Sequence, residues 1–121
     1  MTFSAAIRYS GDVTLIDLSG SLTFQEIAAL SKAIRDLLNE GHKKFVLNLN
    51  GVRSLDSSGI GELVRSYMTV TNRGGDLKML NLSPKVEEIL KITKLSQVFE
   101  DFSDEQSAVK SFSVNDQNKP L

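Results

Sequence analysis

The stretch that decides the reading of this chain is Phe45-Val46-Leu47-Asn48-Leu49-Asn50, followed shortly by Leu55-Asp56-Ser57-Ser58-Gly59-Ile60-Gly61-Glu62. The first run has the composition of a buried strand. The second turns, then sets two hydroxyls where a helix should begin. A helix start gathers unpaired backbone N–H groups and the positive ends of the peptide dipoles. An anion is favoured there, including a phosphate carried by a serine. The segment reads as a serine switch on a binding module.

Outward from this segment, strand and helix patterns alternate. Residues 4–9 read as a first strand, and Val13 to Leu18 as a second. Ser10-Gly11-Asp12 joins them as an antiparallel hairpin. Thr23 and Glu26 have capping-box spacing, and Leu22 and Ile27 fit a hydrophobic staple. Ile27, Leu30, Ile34, Leu37 and Leu38 then recur at helical intervals up to a stop at Gly41. Strand three is 44–49. Helix two runs from about Ser58 to Asn72, with Ile60, Leu63, Val64, Tyr67 and Val70 as its apolar stripe, and ends at Gly74-Gly75. Strand four is 77–82.

Ser83-Pro84 supplies an N-cap and a proline at the first position of helix three, with Val86, Ile89 and Leu90 inward. Residues 97–101 form a short edge strand. Ser103 and Gln106 open helix four, with Ala108, Val109 and Phe112 inward. From Ser113 the chain is a polar, frayed tail. One domain over 1–112 and a tail over 113–121 follow. Strands three and four, joined through a helix, must be parallel. Sites in such sheets lie outside the carboxyl ends of the strands, where the Asp56-Ser57-Ser58 loop falls.

Composition narrows the function. The 121 residues suit a single core, with 40% hydrophobic content and a formal charge of −1. No basic run favours nucleic acid. No basic amphipathic stretch favours a membrane surface, and no apolar run approaches spanning length. There is no cysteine, hence no disulfide, thiolate metal site or cysteine nucleophile. A soluble, cytoplasmic protein without metal or cofactor is expected.

Alone, the serine loop has a plain reading: Asp56 or Ser58 caps helix two and Gly59 eases the turn. Capping and regulation are compatible, since one serine can cap while its neighbour faces solvent. A catalytic serine is a poor reading. His42, the one histidine, lies at the far end of strand three, roughly 15–20 Å away for an average strand. No nucleophile elbow, Walker loop or dinucleotide fingerprint is present. Gly59 and Gly61, inside a helix's first turns, each cost roughly 1 kcal/mol relative to alanine. Close approach of a docking partner, or of strand three or one, would justify them. Arg65, Thr69 and Arg73 share the face of helix two that continues from Ser57, which gives Arg65 and Thr69 a candidate binding role.

These residues together resemble the STAS domains, in particular the bacterial anti-sigma factor antagonists. The resemblance spans roughly 5–112. It rests on Val13-Thr14-Leu15-Ile16-Asp17-Leu18-Ser19-Gly20-Ser21-Leu22, the Phe45 strand, Leu55 to Gly61, and Gly75-Asp76-Leu77-Lys78-Met79-Leu80-Asn81-Leu82. It implies an α/β, STAS-like fold: a mixed four- to five-stranded sheet with about four helices packed mainly on one face. It implies a non-enzymatic protein that binds an anti-sigma factor, a serine kinase with a histidine-kinase-like ATPase fold. The kinase phosphorylates Ser57, the complex separates, and a PP2C-type phosphatase restores the free hydroxyl. In this reading Asp56 shapes the loop, Ser58 is the cap, Gly59 completes the loop, and Ile60 and Gly61 meet the partner. Thr23-Phe24 stands where many antagonists carry an acidic residue; Thr23 can cap helix one, and Thr23 and Phe24 are both candidate partner contacts. A monomer is expected. The alternatives are a scaffold subunit of a stressosome-like or lipid-transport complex, and a small-molecule or nucleotide sensor.

Overall fold

The computed structural model describes residues 3–22 and 24–118, with side chains described for 3–22 and 28–112. Among the described residues, five strands form one sheet in the order β1-β2-β3-β4-β5. They are β1 (Ser4–Ser10), β2 (Val13–Leu22), β3 (Lys44–Leu55), β4 (Asp76–Leu80) and β5 (Asp101–Phe102). β1 pairs with β2 antiparallel, and every later pair is parallel. The helices are α1 (Phe24–Asn39), α2 (Ser57–Asn72), α3 (Pro84–Ile92) and α4 (Glu105–Asn118).

Side-chain alternation along the strands divides the core in two. Phe45, Leu47 and Leu49 of β3 join Ile16, Leu18, Leu77 and Met79 on one face, beneath α1, α2 and α3. Val46 joins Val13, Leu15 and Leu80 on the other face, beneath Ala108 and Phe112 of α4. β4 is buried from Leu77 through Leu80, the pattern of a parallel strand covered on both sides.

Several boundaries differ from the sequence reading. β2 runs on to Leu22 and β3 to Leu55, not to Leu18 and Leu49, because the two extensions pair with each other. Two register irregularities, at Asp17/Ser19 and Gly20/Ser21, accommodate the polar residues that had marked the strand ends. β4 stops at Leu80, since Asn81 turns with φ 59°. The edge strand is only Asp101–Phe102, and Leu95–Gln97 is a 3₁₀ turn before it. Asp104, not Ser103, caps α4: its carboxylate accepts from Ser107 N–H at 3.0 Å and Ser107 Oγ at 2.7 Å. Helical backbone continues through Ser113 to Asn118. Ser83 caps α3 as expected, accepting from Val86 N–H at 3.2 Å. The capping box at Thr23 and Glu26 lies outside the described side chains.

Polar links cross the α4 side of the sheet. Arg8 grips Asp17 in a fork, Nε to Oδ2 at 2.6 Å and Nη2 to Oδ1 at 3.0 Å, and also reaches Glu105 at 2.7 Å. Asn48 donates to Asp17 Oδ1 at 2.9 Å. The Arg8 hydrogen bonds, aided by Asn48, hold the Asp17 carboxyl below the usual carboxylate range. A depressed folded-state pKa gives stability that is present above the unfolded value of about 3.9 and is lost as pH falls through the folded value. Asp17→Asn is therefore expected to cost about 1 kcal/mol at pH 7, the upper end for a part-exposed pair. The deficit should be smaller at pH 2 than at pH 7 in urea titrations of variant and parent. A deficit equal at both pH values would refute the assignment.

Candidate functional site

The extension of β3 sets the stage for the site. Of β3, β4 pairs only with Lys44 to Asn48, so the last seven residues of β3, Leu49 to Leu55, lie beside β2 alone. At about 3.3 Å per residue this carries the following loop roughly 20 Å past the end of β4. His42, before β3, is farther from Ser57 than an average strand would place it. It stacks on Tyr9 at 5.3 Å between ring centroids and lies 3.4 Å from Thr14 Oγ1. The histidine and the serine belong to opposite ends of a twelve-residue strand.

α2 begins one residue earlier than its pattern suggested, at Ser57, and Asp56 rather than Ser58 is its cap. Asp56 is extended (φ −101°, ψ −176°). Its Oδ1 accepts from Gly59 N–H at 2.8 Å, and its carbonyl accepts from Ile60 N–H at 2.9 Å. This arrangement satisfies one of the helix's orphan donors with a carboxylate, the favoured chemistry at this position. Ser57 is the first helical residue and is exposed, while Ser58 is half-buried and Gly59 buried. The hydroxyl of Ser57 is thus free of the capping task.

The two helix glycines do different things. A Cβ on Gly59 would stand 2.4 Å from the Leu22 carbonyl oxygen and 2.7 Å from Leu55 Cδ1. Gly59 lets α2 rest directly on the ends of β2 and β3, which fixes where Ser57 points. A Cβ on Gly61 would meet nothing within 4 Å, and the residue is exposed. No packing inside the described protein requires it.

The faces of α2 differ from the sequence reading. The buried residues are Gly59, Glu62, Leu63, Ser66 and Val70, whereas Ile60, Val64 and Tyr67 are half-buried flanks. The spacing 59, 62, 63, 66, 70 is helical, but the polar identity of Glu62 and Ser66 hid it. Glu62 Oε2 accepts from Arg65 Nη1 at 3.1 Å. Glu62 Oε1 and Ser66 Oγ are, among the described residues, the buried side-chain atoms without a hydrogen-bond partner.

Arg65 is exposed and Thr69 half-buried. Arg73 leaves the ridge, because it is the C-cap residue and donates to Asn39 Oδ1 at 3.1 Å. Met68, 54% exposed, was missed. It stands eleven residues from Ser57 on the line Ser57, Gly61, Val64, Met68, a single helix face. Thr23 and the Phe24 side chain lie outside the described residues.

A cleft of about 470 Å³ opens between the β4–α3 and β5–α4 connections, lined by Asn81, Ser83, Glu87, Asp101 and Ser103 among others. It contains neither the serine loop nor a lysine or arginine. Among the described residues no group of three His, Asp or Glu side chains is placed to hold a metal ion. No helix there is long and apolar enough to cross a membrane.

A sheet of this order, with a capped serine helix at its overhanging carboxyl end, is the architecture of a STAS domain. The STAS family model matches residues 4–108, and the chain belongs to that family. Among its relatives is a Thermotoga neapolitana protein, provisionally named an anti-sigma factor antagonist, 30% identical over 88 residues, covering 72% of this chain and 78% of the relative. The anti-sigma F factor antagonist of Paenibacillus polymyxa is 23% identical over 119 residues, covering 94% of this chain and 98% of the relative. The fold also matches the Bacillus cell fate determinant SpoIIAA in its phosphorylated form, with a TM-score of 0.70 at 19% identity, covering 91% of this chain and 99% of that one. The two relatives carry names of regulatory binding proteins rather than of enzymes.

Proposed function

We propose that this chain is an anti-sigma factor antagonist that works by partner switching in the cytoplasm, as a monomer. With Ser57 unmodified it binds an anti-sigma factor that is also a serine kinase of the histidine-kinase-like ATPase fold. Phosphorylation of Ser57 ends the complex, and a PP2C-type phosphatase restores it. The carrying observation is the division of labour at the start of α2: Asp56 caps, Gly59 seats the helix, and the Ser57 hydroxyl is exposed. A phosphate added at Ser57 meets the N–H groups and dipole of a helix start, so the domain stays folded. Beside the Asp56 carboxylate, it also concentrates negative charge where a docked partner must exclude water. The names of the relatives and the phosphorylated state of SpoIIAA support this reading.

The direct test mixes the protein with its cognate kinase and ATP. One phosphate should appear in the intact mass, map to Ser57, and be absent in Ser57→Ala. A phosphate mapping to Ser58 instead would overturn the assignment.

Gly61 offers a separate check of the docking ridge. Gly61→Ala should raise stability by about 0.5–1 kcal/mol, since an exposed helix interior prefers alanine. Titration calorimetry should show a tenfold or greater loss of partner affinity, because the added methyl occupies the gap that the partner uses. Unchanged affinity would place the docking surface elsewhere.

A further inference from the structure

The serine-loop function makes no use of Lys78, yet this residue in the middle of β4 has no exposed surface. Its neighbours Leu77 and Met79 point into the core under α1–α3, so Lys78 points to the other face, beneath α4. Its ammonium donates to Ser111 Oγ at 2.7 Å. It lies 3.4 Å from Glu100 Oε1, on a side chain that is itself 57% exposed. It also stands 4.4 Å from the centre of the Phe112 ring and 5.7 Å from that of Phe102.

The charge is therefore sealed from water by α4, where one hydrogen bond, an ion pair to a half-exposed carboxylate and two ring faces must offset the cost of desolvating an ammonium. The apolar packing on that side is thin. Among the described residues it holds six buried ones, against eighteen on the α1–α3 face. Within the described part of α4, only Ala108 and Phe112 are fully buried. The link from the first turn of α4 to Arg8 is a surface ion pair, with side chains 41% and 43% exposed.

We propose that α4 is a separately opening cover, which lifts from the sheet while β1–β5 and α1–α3 stay folded. Opening returns the Lys78 ammonium to water, so the helix gives up less on leaving than a cover over a wholly apolar floor would. It uncovers Val13, Leu15, Val46 and Leu80 with a cation beside them on β4, on the sheet face opposite α2. Regions of few buried contacts are where such sub-global opening occurs.

Native-state hydrogen exchange of the full chain, followed residue by residue across urea concentrations below the unfolding transition, tests this. Amides of Val109 to Phe112 should exchange at least tenfold faster than those of Leu47 and Leu49, with a much weaker urea dependence. Lys78→Met removes the buried charge and strands no group, because Ser111 Oγ still donates to the Ala108 carbonyl at 2.6 Å. It should slow exchange in α4 at least fivefold. Ser111→Ala removes the ammonium's shortest contact with little loss of packing, and should speed α4 exchange at least fivefold while leaving Leu47 and Leu49 unchanged. One shared rate and urea slope for α4 and β3 would overturn the proposal. So would α4 exchange that ignores both substitutions.

Discussion

Ser57→Asp should weaken binding to the anti-sigma partner by at least a hundredfold while leaving the domain folded. The exposed first position of α2 accepts a carboxylate readily, and an acid in the first turn contributes about 0.3–1 kcal/mol of stability. The melting temperature of the variant should therefore hold or rise. A partner docked over that position must strip water from an added charge with no partner of its own, at a cost of several kcal/mol. A hundredfold loss needs about 2.8 kcal/mol, so one carboxylate suffices. Ser57→Ala, which removes only an exposed hydroxyl, should bind within threefold of the parent. Tight binding by Ser57→Asp would defeat the charge account even if Ser57 proved to be phosphorylated. Loss of binding by both variants would instead make the hydroxyl a contact, not a switch.

The second large effect concerns the seat of the helix. Gly59→Ala should destabilise the domain by about 3 kcal/mol, at the upper end for overpacking a site that cannot yield. The obstructing atoms are a backbone carbonyl at Leu22 and a core-lining methyl of Leu55, 2.4 and 2.7 Å from the new Cβ. The Leu22 carbonyl is backbone and cannot turn aside, and it is the nearer of the two. For a domain of this size the melting temperature should fall by roughly 10 °C. Gly61→Ala, two residues along the same helix, should move stability in the opposite direction. Equal effects from the two substitutions would show that α2 does not rest on the ends of β2 and β3.

Much of the site was legible before the fold was known. Strand composition at Phe45 to Leu49, the Asp-Ser-Ser-Gly run and the helical recurrence beyond it are local signals. They placed the serine at a helix start on the sheet's carboxyl edge. Local chemistry also predicted the Ser83-Pro84 cap, because cap and proline act within one turn. It failed where two segments distant in sequence decide together. Ser19, Gly20, Asn50 and Gly51 look like strand ends, yet they continue as strand because the extensions of β2 and β3 pair with each other. Ser58 and Asp56 were equally good caps by type, and the contact of Gly59 with Leu22 selects the register that gives the task to Asp56. Glu62, Ser66 and Lys78 were invisible as buried residues, since their identity argues for solvent and only packing against other elements removes it.

Alternation, spacing and turn chemistry thus determined by themselves the order of strands and helices, the parallel crossover and the address of the serine, because each depends on a few neighbouring residues. Tertiary structure alone decided that the loop rides beyond β4, that Gly59 is locked while Gly61 is open, and that a lysine lies sealed under α4. Those are properties of surfaces brought together from separate parts of the chain, and no short stretch of sequence contains both sides of the contact.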